Sequence, residues 1–130
     1  MDNQEKIKYW LDIAEYDFIT AQAMLESKRY LYVGFMCHQT IEKVLKAFYS
    51  SKYNDVAPFT HNLKQLADKA GLYELFSEEQ KDIIDLLLLL NIEARYPTYK
   101  EQLLKSLSYA KCEDIIQQTK DLMQWIKKLL

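Results

Sequence analysis

Six side chains of this sequence stand out by type and rarity as candidates for chemistry: Arg29 and Arg95, His38 and His61, Cys37 and Cys112. Fifteen of the 17 cations are lysines, so the two arginines stand out. Arginine's planar fork recognises phosphate or carboxylate better than an ammonium does. Arg95 is followed at once by Tyr96, Pro97 and Tyr99. A guanidinium beside two tyrosines at a backbone break suits phosphate binding with base stacking, and Lys100 adds charge. The alternative is architectural: an arginine at the C-terminal end of a helix complements the macrodipole.

The histidines carry the same pair of readings. His38 has Glu42 one helical turn later on the same face, so a His–Glu contact is expected. It reads either as a surface or subunit-contact histidine or as an acid/base. His61 follows Thr60 at a helix start, where its ring can bond nearby backbone; an acid/base role is the alternative. Cys37 and Cys112 lie in apolar surroundings without a CxxC pair, as free buried thiols in a reducing cytoplasm do.

Most other chemistry is excluded. A di-iron bundle needs inward carboxylates and Glu-x-x-His pairs, and neither histidine has a glutamate three residues before it. Zinc needs three or four convergent ligands; only Cys37 and His38 are neighbours, and they point in different helical directions. No HExxH or GxSxG occurs, and two glycines in 130 residues leave no room for a phosphate loop. No cofactor and no metal is expected. With 17 basic against 19 acidic residues and a net charge of -2, nucleic acid can be held only by a local patch. The N-terminus lacks a signal peptide's pattern, and the greasiest run, Ile83–Ile92, is half the ~20 residues that span a bilayer. A cytoplasmic location is expected.

The elements that must position these residues are helical, since two glycines and two prolines cannot serve the turns of an all-β fold. Ile7, Trp10, Ala14, Phe18, Ala21 and Leu25 form one amphipathic stripe, with Tyr9, Ile13 and Tyr16 as a second apolar edge. A second helix over about Tyr32–Ser51 turns Val33, Cys37, Thr40, Ile41, Val44 and Phe48 inward and carries Gln39, Glu42, Lys43 and Lys46 on a polar face. Thr60 caps a short helix ending near Gly71. Ser77 to Gln80 is a capping box opening a helix over about Glu78–Arg95, which Pro97 ends. The last helix starts between Leu103 and Ser108; Ile115, Thr119, Leu122, Ile126 and Leu129 make its stripe, widened by Cys112, Ile116, Met123 and Leu130. This is an all-α, up-and-down four-helix bundle with an extra short helix, one domain over residues 1–130. The run Leu86 to Leu90 makes a helix apolar all round, which needs a second burial partner. Either the short third helix covers it or a second subunit does; the favoured partner is a second copy, in a homodimer buried on Ile83, Leu86, Leu87 and Leu90, since closed two-fold dimers are the commonest oligomer.

Ala14–Leu25, Arg29-Tyr30, Cys37–Tyr49 (CHQTIEKVLKAFY), Thr60–Leu66 (THNLKQL) and Asn91–Pro97 (NIEARYP) together resemble the HEPN family (higher eukaryotes and prokaryotes nucleotide-binding). The resemblance runs over nearly the whole chain. It implies an up-and-down helical bundle that dimerises. Many members are metal-independent ribonucleases, often toxins, with an arginine, four to six intervening residues, and then a histidine. Arg95 would be that arginine, but Lys100, Glu101 and Gln102 occupy the histidine's positions, and none shuttles protons near neutrality as imidazole does. Other members resemble the helical half of a nucleotidyltransferase, encoded beside a minimal nucleotidyltransferase, and this RYP-bearing chain looks more like those. The resulting expectation is a non-catalytic homodimer that binds nucleotide or RNA phosphate through Arg95, Tyr96, Tyr99 and Lys100. Its setting is a minimal nucleotidyltransferase partner or a toxin–antitoxin-type module. The alternatives are a ribonuclease using Arg95 with His61 or His38, and a purely structural interaction bundle.

Overall fold

The computed structural model describes residues 2–130. Six α-helices follow one another: α1 (Asn3–Glu26), α2 (Tyr30–Tyr53), α3 (Leu63–Lys69), α4 (Glu78–Leu89), α5 (Pro97–Ser106) and α6 (Tyr109–Lys127). Single 3-10 turns occupy Tyr73–Leu75 and Ile92–Ala94. Among the described residues there is no strand, and no helix is long and apolar enough to cross a membrane. The all-α bundle expected from periodicity is the fold observed.

Local chemistry sets several boundaries. Asp2 caps α1 by accepting from the Glu5 amide at 2.8 Å. The capping box forms: Ser77 Oγ accepts from the Gln80 amide, and the Gln80 side chain accepts from the Ser77 amide. The cap of α3 is Asn62, whose side chain accepts from the Gln65 amide; Thr60 stands one step back and accepts from the Asn62 amide. Gly71 follows α3 with φ +75, the left-handed conformation that glycine adopts without strain.

α2 is the axis of the molecule. It packs against α1, α3, α4, α5 and α6, and half of its residues are buried. This relocates an expectation: the helix buried on every side is α2, not the leucine run. Its polar face does not meet solvent, for Glu42 and Lys46 are buried beneath α1 and the segment before α3. Those charges are tolerated because they pair with each other, as described below.

The leucine run divides. Ile83, Leu87 and Leu90 are already buried in the chain's own core, so they have no surface left for a second subunit. Leu86 is half-buried and Leu89 exposed. Gly34 explains where Leu90 goes, because a Cβ added at Gly34 would lie 2.9 Å from Leu90 Cδ1. The missing side chain lets the end of α4 sit against α2.

Pro97 also differs from expectation. It opens α5 as its first residue, where the absent N–H costs nothing and the fixed φ suits a helix. α4 stops at Leu89, six residues before the expected end. Ser108 caps α6 by accepting from the Lys111 amide, and Leu129 and Leu130 lie exposed beyond its last turn.

Candidate functional site

Two polar regions branch from α2. The first lies in its middle. Glu42, only 2% exposed, has both carboxylate oxygens engaged. Oε1 accepts from His61 Nδ1 at 2.8 Å, and Oε2 accepts from Lys46 Nζ at 3.3 Å. Lys43 Nζ lies 3.9 Å from the same Oε2 and 3.5 Å from Asp17. Lys46 also sits over the Trp10 ring, 5.3 Å from its centroid. A carboxylate out of water is costly unless it is paired and hydrogen-bonded, and here it is both.

The histidines join this region differently from the i, i+4 expectation. His38 does not bond Glu42; its Nε2 donates to the backbone carbonyl of His61 at 3.0 Å. His61 in turn gives its ring, not to nearby backbone, but to Glu42. The two histidines and Glu42 thus pin the segment before α3 onto α2. Burial pushes the His38 pKa below the ordinary imidazole value, against the opposing pull of Glu42. A neutral ring donating through Nε2 leaves Nδ1 as a bare acceptor, and that atom is buried without a partner. Burial likewise raises the Asp17 carboxyl, with Lys43 opposing. The His61 ring remains 71% exposed.

The second region is the junction between α4 and α5. Arg95 is in extended conformation, with φ -120 and ψ 150, after the 3-10 turn. Its Nη2 donates back to the Leu88 carbonyl at 3.1 Å, and its Cζ lies 5.1 Å from the centre of the Tyr99 ring. The last carbonyls of a helix lack intrahelical partners, so Arg95 does serve the end of α4, from outside the helix. Only one of its five N–H donors is used this way, and Nε is buried without a partner. Arg95 leads directly into the N-terminus of α5, whose cap residue, Tyr96, makes no side-chain capping bond. Tyr96 is 84% exposed, and Lys100 is half-buried. Four of the expected site residues, Arg95, Tyr96, Tyr99 and Lys100, therefore share one helix start. No hydrogen bond links Arg95 to His38 or His61 among the described residues.

The remaining reactive side chains are inert by placement. Cys37 and Cys112 are buried and unpaired, and burial pushes their thiols up to about 12 and about 11. Arg29 precedes α2 as an exposed residue with no side-chain capping bond. No group of three or more potential metal ligands occurs among the described residues.

Two features depart from the sequence expectation, the helix α5 and the depth of Glu42. The signal for α5 was present, since proline is favoured at a first helical position and Leu103 and Leu104 follow at helical spacing.

Comparison with known proteins agrees with this architecture. The chain is similar to the protein in the crystal structure of TT1696 from Thermus thermophilus, with a TM-score of 0.81 and 18% sequence identity. The superposition covers 96% of this chain and 98% of that one, and at such identity it speaks to the fold alone. No curated protein matches the sequence. The family model described as HEPN domain matches residues 7–129. With a bundle of this form and a match over nearly its whole length, the chain belongs to the HEPN domain family.

Proposed function

We propose that this HEPN domain binds the phosphate of a nucleotide or an RNA at the α4–α5 junction. Arg95 is the principal phosphate ligand, Lys100 adds charge, and Tyr96 and Tyr99 offer ring faces for a base. The observation that carries this reading is the guanidinium at an uncapped helix start. Arg95 is oriented by Leu88 and Tyr99, holds a buried Nε with no partner, and precedes the free amides of α5. Helix N-termini bind anions through those amides and the positive end of the macrodipole.

In this reading the domain acts without catalysis, beside a minimal nucleotidyltransferase or within a toxin–antitoxin-type module, as a homodimer. The RYP segment and the residues at positions 100–102, none of them histidine, support that branch of the family. Because Ile83, Leu87 and Leu90 are spent in the core, the dimer reading rests on the family resemblance and the half-buried Leu86.

Titration of the full chain with AMP and with a short single-stranded RNA, wild type beside Arg95→Ala, tests the assignment. Loss of roughly tenfold in affinity is expected for the variant, from one charge-assisted contact. Equal binding by both proteins, or none by either, overturns it.

A second reading has one observation in its favour. The exposed His61 ring is oriented by a buried carboxylate, the arrangement of a base and its orienting partner. Metal-independent RNA cleavage that survives EDTA and is lost in both His61→Ala and Arg95→Ala would establish a ribonuclease instead.

A further inference from the structure

A small cavity of about 170 Å3 lies at the end of the bundle away from Arg95. It is lined by Lys6, Tyr9 and Trp10 of α1, Ser50 of α2, and Val56 and Ala57 of the following loop. Ser50 stands sixteen residues beyond Gly34 on α2, roughly 24 Å at 1.5 Å of rise per residue. Leu90 and the α4–α5 junction lie against the Gly34 end, so this cavity is separate from the proposed phosphate site.

Three features of the lining point to a ligand. The walls are aromatic and aliphatic, with the Tyr9 and Trp10 rings edge to face at 5.2 Å. Ser50 is fully buried, yet its hydroxyl has no hydrogen-bond partner. Burying a hydroxyl without a partner carries a desolvation cost that a bound polar group removes. Lys6 is the one charged residue of the lining, and it pairs with no carboxylate among the described residues.

We propose that this cavity binds a monocyclic aromatic carboxylate, its ring between Trp10, Tyr9 and Val56, its carboxylate reaching Lys6, and a ring-borne or carboxylate oxygen bonded to Ser50. Size and charge select that class. A cavity of roughly 150 Å3 accommodates benzene, so the present volume suits one ring, with the exposed Tyr9 and Val56 leaving its outer side open for a substituent. Lys6 at the rim and Lys46 over Trp10 disfavour a cationic ring.

The test uses benzoate as the probe and the indole N–H signals of Trp10 and Trp125 in NMR spectra of the full chain. Trp125 packs against Phe76 outside this cavity and serves as the internal control. A saturable shift of the Trp10 signal with Trp125 unmoved is expected. Lys6→Gln should weaken binding about fivefold, the scale of an exposed ion pair. Ser50→Ala, which suits a helix, should weaken it by a similar factor. Benzyl alcohol should bind more weakly than benzoate. The proposal is overturned if Trp10 gives no saturable shift, if Lys6→Gln binds benzoate as well as wild type does, or if uracil or adenine binds more tightly. None of these outcomes bears on AMP binding at Arg95, so the two sites stand or fall separately.

Discussion

The Glu42 region and the Arg95 region contain the same kinds of group, yet they differ in how completely those groups are used. Around Glu42, both carboxylate oxygens, two lysines and His61 are joined, and the His38 ring ties down the backbone with its own Nδ1 left unpartnered. Around Arg95, a single N–H donor is committed, one nitrogen is buried without a partner, and an exposed tyrosine stands alongside. A buried charge whose valences are filled holds the fold together. A charge with valences to spare, just before an uncapped helix start, is the one proposed to take a ligand.

The most forceful way to break this contrast is Glu42→Ala. Removing the shared acceptor leaves Lys46 buried and uncompensated, so a loss of about 3 kcal/mol in unfolding free energy is expected. Chemical denaturation measures it; a loss below about 1 kcal/mol would move the Glu42 region into the same class as Arg95.

Gly34→Ala acts on the joint between the two regions. Its Cβ would meet the Leu90 side chain, including Leu90 Cβ at 3.0 Å, and overpacking of this kind costs about 1–3 kcal/mol. Alanine's better helix propensity returns up to about 1 kcal/mol, so a net loss near 1 kcal/mol is expected. A stabilised variant would show that α4 moves freely off α2.

Acid sharpens the comparison on the Glu42 side. His38 titrates below its ordinary value in the fold, so between its folded and unfolded pKa values the unfolded chain binds more protons. Stability should therefore fall as pH drops below about 6.5, the unfolded value, and the fall should be shallower in His38→Gln. Asp17, raised in the fold by burial, acts in the opposite sense, and the comparison with His38→Gln separates the two. Melting temperatures at pH 7.5 and 5.5 for the two proteins decide the point.

The smallest change in stability belongs to Arg95→Ala. One hydrogen bond to a helix-end carbonyl, partly exposed, is worth about 0.5–1 kcal/mol. If the variant loses AMP affinity while its melting curve hardly moves, the division between a filled and an unfilled charge holds. A loss as large as that of Glu42→Ala would make Arg95 part of the framework.

Much of the fold was legible. The apolar stripes of α1, α2 and α6, the Ser77 capping box and the helix stop at Gly71 depend on neighbours within a few residues, and those neighbours are adjacent in the sequence. Interactions across the bundle were not legible. Glu42, Lys43 and Lys46 look like a solvated face at helical spacing, because nothing local shows that His61, nineteen residues on, will cover Glu42. The leucine run looked like an interface because its shortness was hidden: Asn91 and the 3-10 turn after it end α4 early and drop Leu90 into Gly34's vacancy. At the candidate site the residues Arg95, Tyr96, Tyr99 and Lys100 are readable, but a proline after a helical pattern looks the same in sequence whether it ends one helix or, as Pro97 does, begins another.

The position of α2 gives its cysteine a particular use. Cys37 is fully enclosed between neighbouring helices, and its thiol is kept in the unreactive protonated form, pushed up to about 12. A thiol reagent cannot reach it until helices separate. The rate at which Cys37 is alkylated in native buffer is therefore a stopwatch for breathing of the bundle, read from a side chain the protein already carries.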